Sequence, residues 1–119
     1  MALITFISDF GEEDHYVAAV KARILSINPG LQILDISHRI APFDIAHGAF
    51  VLKSVYPEFP KGTIHLVAVD SAGSSSGKYV IIKLKDQVFL GADNGLLSLI
   101  SDEMPALVSE INVPERSEE

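Results

Sequence analysis

Two aspartates close apolar runs: Asp9 follows Leu3-Ile4-Thr5-Phe6-Ile7-Ser8, and Asp70 follows the stretch from Thr63 to Val69. A carboxylate offers only acceptors, enough to take hydrogen bonds from both hydroxyls of a sugar diol. It can also orient or deprotonate a water. Both residues sit where a strand hands over to the next segment, and open α/β sheets bind ligands outside the carboxyl ends of their strands. Aspartate also caps loops and helix starts, so each position has a structural role open to it beside the chemical one. A second Asp-Gly stretch, Ala92-Asp93-Asn94-Gly95-Leu96-Leu97, echoes Ser8-Asp9-Phe10-Gly11 later in the chain.

Other chemistry is thinly represented. The histidines are His15, His38, His47 and His65, and no pair has zincin or zinc-finger spacing. Asp35-Ile36-Ser37-His38 brings a carboxylate near an imidazole without the rest of a metal shell, so no metal is expected. His65, inside an apolar strand, reads as a core histidine with its hydrogen bonds satisfied. Ser71-Ala72-Gly73-Ser74-Ser75-Ser76-Gly77 has no Gly-Lys-Ser/Thr ending and leads into a strand, so it reads as a flexible connection rather than a phosphate cradle. No Gly-x-Ser-x-Gly elbow is present, which speaks against a serine hydrolase. Phe43 follows Pro42 on a loop at the presumed ligand edge. Its ring suits packing on a flat base or sugar. It equally suits a hydrophobic staple near His47 or Gly48.

The elements that must position these residues follow from periodicity. Leu3–Ile7 reads as a buried strand. Asp14 to Ile27 reads as a helix with Val17, Val20, Ile24 and Ile27 inward. Glu12, Glu13 and Asp14 favour its first turn, and Asn28-Pro29-Gly30 stops it. Leu31–Ile36 is a second strand. A second helix follows Asp44 as N-cap, with Ile45, Ala49 and Leu52 on one face, and ends by Pro57 and Pro60-Lys61-Gly62. Thr63–Val69 reads as a strand covered on both faces. Tyr79–Leu84 and Gln87–Ala92 form a hairpin across Lys85-Asp86, although that is not a preferred turn pair. A short helix near Gly95 and a strand over Ala106–Ile111 complete the list. This order predicts an α/β fold: a layered α/β/α sandwich on a mostly parallel, mixed sheet. Right-handed crossovers set Asp9, the Ile36-Ser37-His38 region and Asp70 along one edge.

The 119 residues suffice for one domain with a core, and 48% hydrophobic with 21% charged residues fits a globular chain. Nine Lys+Arg against 16 Asp+Glu give a net charge of −7, the wrong sign for a nucleic-acid partner. There is no membrane-length apolar run, no leader-like start and no cysteine, so a cytoplasmic location is expected. Residues 1–112 read as the folded domain and 113–119 as a charged tail or the start of a linker.

Many short stretches then combine in order: Ile4-Thr5-Phe6-Ile7-Ser8-Asp9-Phe10-Gly11, Tyr16-Val17-Ala18-Ala19-Val20-Lys21, Asp35-Ile36-Ser37-His38-Arg39-Ile40, Pro42-Phe43-Asp44-Ile45, Phe59-Pro60-Lys61-Gly62-Thr63, Val69-Asp70 and Asp93-Asn94-Gly95-Leu96-Leu97. Together they resemble the S-adenosyl-L-methionine (SAM) hydroxide adenosyltransferase family, the adenosine-forming SAM hydrolases related to fluorinating and chlorinating enzymes, over its N-terminal domain. The resemblance implies attack of water or hydroxide on ribose C5′ of SAM, with SAM as substrate and no cofactor. It implies that Asp9 holds the ribose hydroxyls, that Phe43 lies beside the ligand and that Asp70 positions the attacking water. Tyr16 and Gly73 are further substrate-contact candidates. Gly77 stands where the family has its catalytic arginine, and Lys78 is a weak catalytic candidate that keeps the charge but not the planar fork. The family histidine and a C-terminal β-barrel domain belong to residues beyond Glu119, and with that domain the family forms a homotrimer. The chain is therefore expected to be the N-terminal part of a longer protein, with negligible catalysis by itself. A non-catalytic adenosyl-binding module, or a divergent inactive member, is the alternative.

Overall fold

In this computed structural model, which describes residues 3–11, 15–69, 79–102, 105 and 107–111, the elements follow the order that the apolar runs predict. They are β1 (Leu3–Ser8), α1 (Tyr16–Ile27), β2 (Gln32–Ser37), α2 (Ile45–Val55), β3 (Ile64–Ala68), β4 (Tyr79–Leu84), β5 (Gln87–Ala92) and β6 (Leu107–Ile111). Short 3-10 turns at Tyr56–Glu58 and Leu96–Leu99 follow α2 and β5. The sheet order is β2-β1-β3-β5-β4-β6. β2, β1, β3 and β5 run parallel, and β4 lies antiparallel between β5 and β6. Pairing of β1 with β2 slips by one residue, from Phe6 opposite Asp35 to Ile7 opposite Ser37.

The two helices take opposite faces. Lys21 of α1 reaches Asp35, which shares a side with its register partner Phe6. Ala49 and Leu52 of α2 join Ile7, Val67, Val69 and Phe89 in the main buried cluster on the other side. At Gly48 the helix approaches so closely that a Cβ would lie 3.0 Å from Leu96 Cδ1 and 3.2 Å from Val69 Cγ2. This is the layered α/β/α sandwich with a mixed, mostly parallel sheet.

Three expectations are corrected. No α1 residue is fully buried, and Ile27, expected inward, is 77% exposed where the helix ends at Asn28. The helix starts at Tyr16 after His15 with no acidic residue in its first turn, and Glu12, Glu13 and Asp14 lie outside the described residues. β3 is not covered equally on both faces: His65 and Val67 are buried while Ile64, Leu66 and Ala68 are half-buried. Among the described residues α1 is the helix on that second face, and it sits over the β1–β2 side. The hairpin, by contrast, forms with both Lys85 (φ 54°) and Asp86 (φ 62°) left-handed, the type I′ geometry that matches strand twist. The Gly62 N–H bonding to the Asp86 carbonyl at 2.7 Å helps to hold this unfavoured pair.

His65 is a satisfied core histidine. Gln87 Nε2 donates to the carbonyls of Tyr56 (2.9 Å) and Phe59 (3.2 Å), so Oε1 faces His65. The imidazole therefore donates from Nε2 and accepts the Thr5 hydroxyl at Nδ1, 2.7 Å away. Phe89 stacks on it at 4.6 Å. Burial pushes its pKa below 6.5, against the opposing bond from Gln87. The unfolded chain thus takes up this proton first, and folding stability is lost as pH falls below 6.5 towards the lower folded value. We expect thermal melts from about pH 7 to about pH 5 to show this slope. It should flatten in a non-titrating His65→Gln variant, and an unchanged slope would exclude His65 as the source.

Candidate active site

Because β1, β2, β3 and β5 are parallel, their carboxyl ends share one edge, where Asp9, His38, Val69 and Asp93 emerge. The exits are joined to one another. Asp9 N–H reaches the Ala68 carbonyl at 3.4 Å, and Gly11 N–H reaches that of His38 at 2.8 Å. Asn94 Nδ2 donates to the Val69 carbonyl at 2.8 Å while its Oδ1 accepts from Leu96 N–H at 3.1 Å. Asp70 is next in sequence after Val69. Asp70, Gly73 and Lys78 lie outside the described residues.

Asp9 and Phe43 are brought into direct contact: Asp9 Oδ2 accepts the Phe43 N–H at 3.0 Å. The carboxylate thus does brace a loop, the structural role left open by the sequence. The loop is a turn closed from Asp44 N–H to the Ala41 carbonyl at 2.9 Å, with Pro42 and Phe43 at its centre. Phe43 has φ 63°, at the position where a type II turn takes glycine. Asp44 caps α2 by accepting His47 N–H at 3.0 Å, and His47 Nδ1 holds Ala41 N–H at 3.2 Å.

The Phe43 ring is 70% exposed, so it makes no staple with the helix. A non-glycine residue in this conformation costs about 1–2 kcal/mol, and an exposed ring recovers little of that by packing. Strain of this kind, held by a carboxylate on one side and a helix cap on the other, marks functional loops. Phe43→Gly separates the two roles. Relief of strain and added chain entropy nearly cancel, leaving stability within about 1 kcal/mol of wild type. Affinity for an aromatic ligand is expected to fall about tenfold through loss of the ring contact. Melting temperature and calorimetry on one sample check both, and parallel losses would make Phe43 a structural residue.

Tyr16 is 54% exposed, stacked on His15 at 4.6 Å and 6.4 Å from the Phe10 ring. It meets the Asp9 loop through Phe10. Phe10 in turn sits edge-on to Phe6 at 6.2 Å.

A polar chain not legible in the sequence runs from Ser8 to Lys21, buried at Ser8 and His38 and exposed at Asp35. His38 is 3% exposed; its Nδ1 lies 2.6 Å from Ser8 Oγ and its Nε2 lies 2.8 Å from Asp35 Oδ1. Lys21 Nζ holds Asp35 Oδ2 at 2.8 Å, and Phe10 N–H donates to Ser8 Oγ at 3.3 Å. Partial burial pushes the Asp35 carboxyl up. Hydrogen bonds from His38 and Lys21, with the Lys21 charge, outweigh that and hold it below the usual value. The Asp35-to-His38 spacing was visible in the sequence, but its third member is a serine on another strand. Among the described residues no cluster of three metal-ligating side chains occurs.

A separate cavity of about 360 Å³ lies among Val80, Ile82, Leu84 and Leu97 with Asp93 and Asp102, and it contains none of the candidate site residues. Its lining is mostly aliphatic, with Asp93, Ser98, Ser101 and Asp102 as its polar members.

A family model described as the SAM hydroxide adenosyltransferase N-terminal domain matches residues 4–119. An (R)-S-adenosyl-L-methionine hydrolase of Methanocaldococcus jannaschii is 40% identical over 107 residues, covering 86% of this chain and 40% of that protein. A fluorinase of Actinoplanes sp. is 33% identical over 90 residues, covering 76% of this chain and 30% of that one. The crystal structure of an uncharacterized conserved protein from Thermotoga maritima superposes with a TM-score of 0.85 at 39% identity, covering 92% of this chain and 42% of that one. The chain spans about two fifths of the length of the curated hydrolases that it matches.

Proposed function

The chain belongs to the SAM hydroxide adenosyltransferase family, matching its N-terminal domain, and on that premise we propose that the whole protein hydrolyses S-adenosyl-L-methionine to adenosine and methionine. The observation that carries this reading is the Asp9 carboxylate fixed against the strained, exposed Phe43 at the strand ends. One offers acceptors for a ribose diol and the other a flat apolar surface for the nucleoside. Tyr16, which packs against Phe10, and Gly73 are proposed as further substrate contacts.

A water oxygen attacks C5′ as the C5′–S bond breaks. Sulfur keeps the bonding pair and leaves as the neutral thioether of methionine, and the water proton passes to the Asp70 carboxylate or to solvent. The sulfonium is already a good leaving group, so no general acid is needed. The protein's work is alignment of the nucleophile opposite sulfur and restriction of stray water. Lys78 supplies positive charge next to Gly77, the position to which the family resemblance assigns the catalytic arginine. No cofactor enters the reaction, in which SAM is the substrate.

A homotrimer formed with a further C-terminal domain and a cytoplasmic location complete the proposal. The net charge of −7 disfavours nucleic acid as a partner. No helix among the described residues is long and apolar enough to cross a membrane.

The test is incubation of the full-length protein with SAM and chromatography of the products. Adenosine above the protein-free control supports the reading. Binding without turnover replaces it with a non-catalytic adenosyl-binding module. A 5′-halogenated nucleoside formed in halide buffer would reassign the nucleophile.

A further inference from the structure

The bonds that hold the Asp9 segment converge on one buried residue. Ser8, before Asp9, is bonded through its hydroxyl to His38 Nδ1 at 2.6 Å. Gly11, after it, donates its N–H to the His38 carbonyl at 2.8 Å. Phe10 N–H rests on the same Ser8 oxygen at 3.3 Å. The directions of these bonds are mutually consistent. The Asp35 carboxylate accepts, so the imidazole proton lies on Nε2. Nδ1 is then an acceptor, the Ser8 hydroxyl donates to it, and the Ser8 lone pairs remain for Phe10 N–H. Lys21 anchors the far end on Asp35. The Ser8–His38 pair is buried and each of its donors meets an acceptor, and such a pair rigidifies the backbone attached to it. Here that is the backbone carrying Asp9.

We propose that His38, acting through Ser8, is a positioning residue that aims the Asp9 carboxylate at the hydroxyls of a ribose; this rests on the reading of Asp9 given above. The Ser8–His38 link reaches the ligand through Asp9, so breaking it weakens recognition of the hydroxyls and spares the rest of the nucleoside. A merely structural residue would weaken all ligands together.

The experiment is calorimetry of the full-length protein with adenosine and with 2′,3′-dideoxyadenosine. Wild type is expected to prefer adenosine at least about a hundredfold, the worth of two hydrogen bonds to a carboxylate. In Ser8→Ala and His38→Ala the preference falls to within about threefold, while dideoxyadenosine affinity stays within about twofold of wild type. In His38→Asn, whose short amide can still meet the Ser8 hydroxyl, part of the preference returns. An equal loss for both ligands, or an intact preference in Ser8→Ala, overturns the proposal. Ser8→Ala removes one hydroxyl and decides alone if His38→Ala does not fold. Asp9→Asn separates the two claims. Preference lost there but kept in Ser8→Ala leaves the ribose reading standing and ends this one. A wild type indifferent to the hydroxyls ends both.

Discussion

Full-length protein carrying Asp9→Ala is expected to bind S-adenosyl-L-methionine about a hundredfold more weakly than wild type. Two hydroxyls donating to one carboxylate make charge-assisted bonds, each worth about 1.5–3 kcal/mol net. Their sum exceeds the contribution of about 0.5–1.5 kcal/mol expected from ring packing at Phe43. Loss of the Asp9–Phe43 bond adds to the effect by loosening the turn that presents the ring. Asp9→Asn keeps the shape and one acceptor, so it should fall between wild type and alanine. Calorimetry with SAM measures all three proteins. Affinity of the alanine variant within about threefold of wild type would remove Asp9 from the ligand site.

Asp70→Asn should act on turnover instead. A positioned general base contributes about 10²–10⁴-fold, and water is a weak nucleophile without one. Asparagine can still orient the water but cannot take its proton or favour developing positive charge. We expect kcat to fall at least about a hundredfold with SAM affinity within about threefold. Single-turnover assays on the full-length protein separate the two quantities. A kcat change below about fivefold would transfer the role to another group, with Lys78 the first to substitute.

The sequence was most legible where a local pattern decides the structure. β4 and β5 have the bounds expected from two β-prone runs around a short turn. Asp44 caps α2 as its residue type and position suggest. The shared edge of Asp9 and His38 follows from parallel strands and needs no side-chain detail. Depth of burial was less legible. Periodicity marks the inner face of α1 but does not say how far the helix covers the sheet, so Ile27 and β3 were placed too deep. The left-handed Phe43 was hidden because Pro42-Phe43 lacks the glycine that announces such a turn. Ser8, His38 and Asp35 went unread as a unit because Ser8 and His38 are 30 positions apart and meet only once β1 and β2 are paired. The placement of Asp70 relative to Asp9 rests on the sheet rule alone, since Asp70 lies outside the described residues.

The slipped pairing of β1 and β2 works as a spacer of one residue. With Ile7 opposite Ser37, the next step sets Ser8 beside His38. In uninterrupted pairing from Phe6 and Asp35, Ser8 would face Ser37 and the imidazole would arrive against Asp9. Deleting Ile36, the residue that the slip passes over, would restore regular pairing and still set Ser8 opposite His38, whereas closing the slip with Ile36 in place would part them.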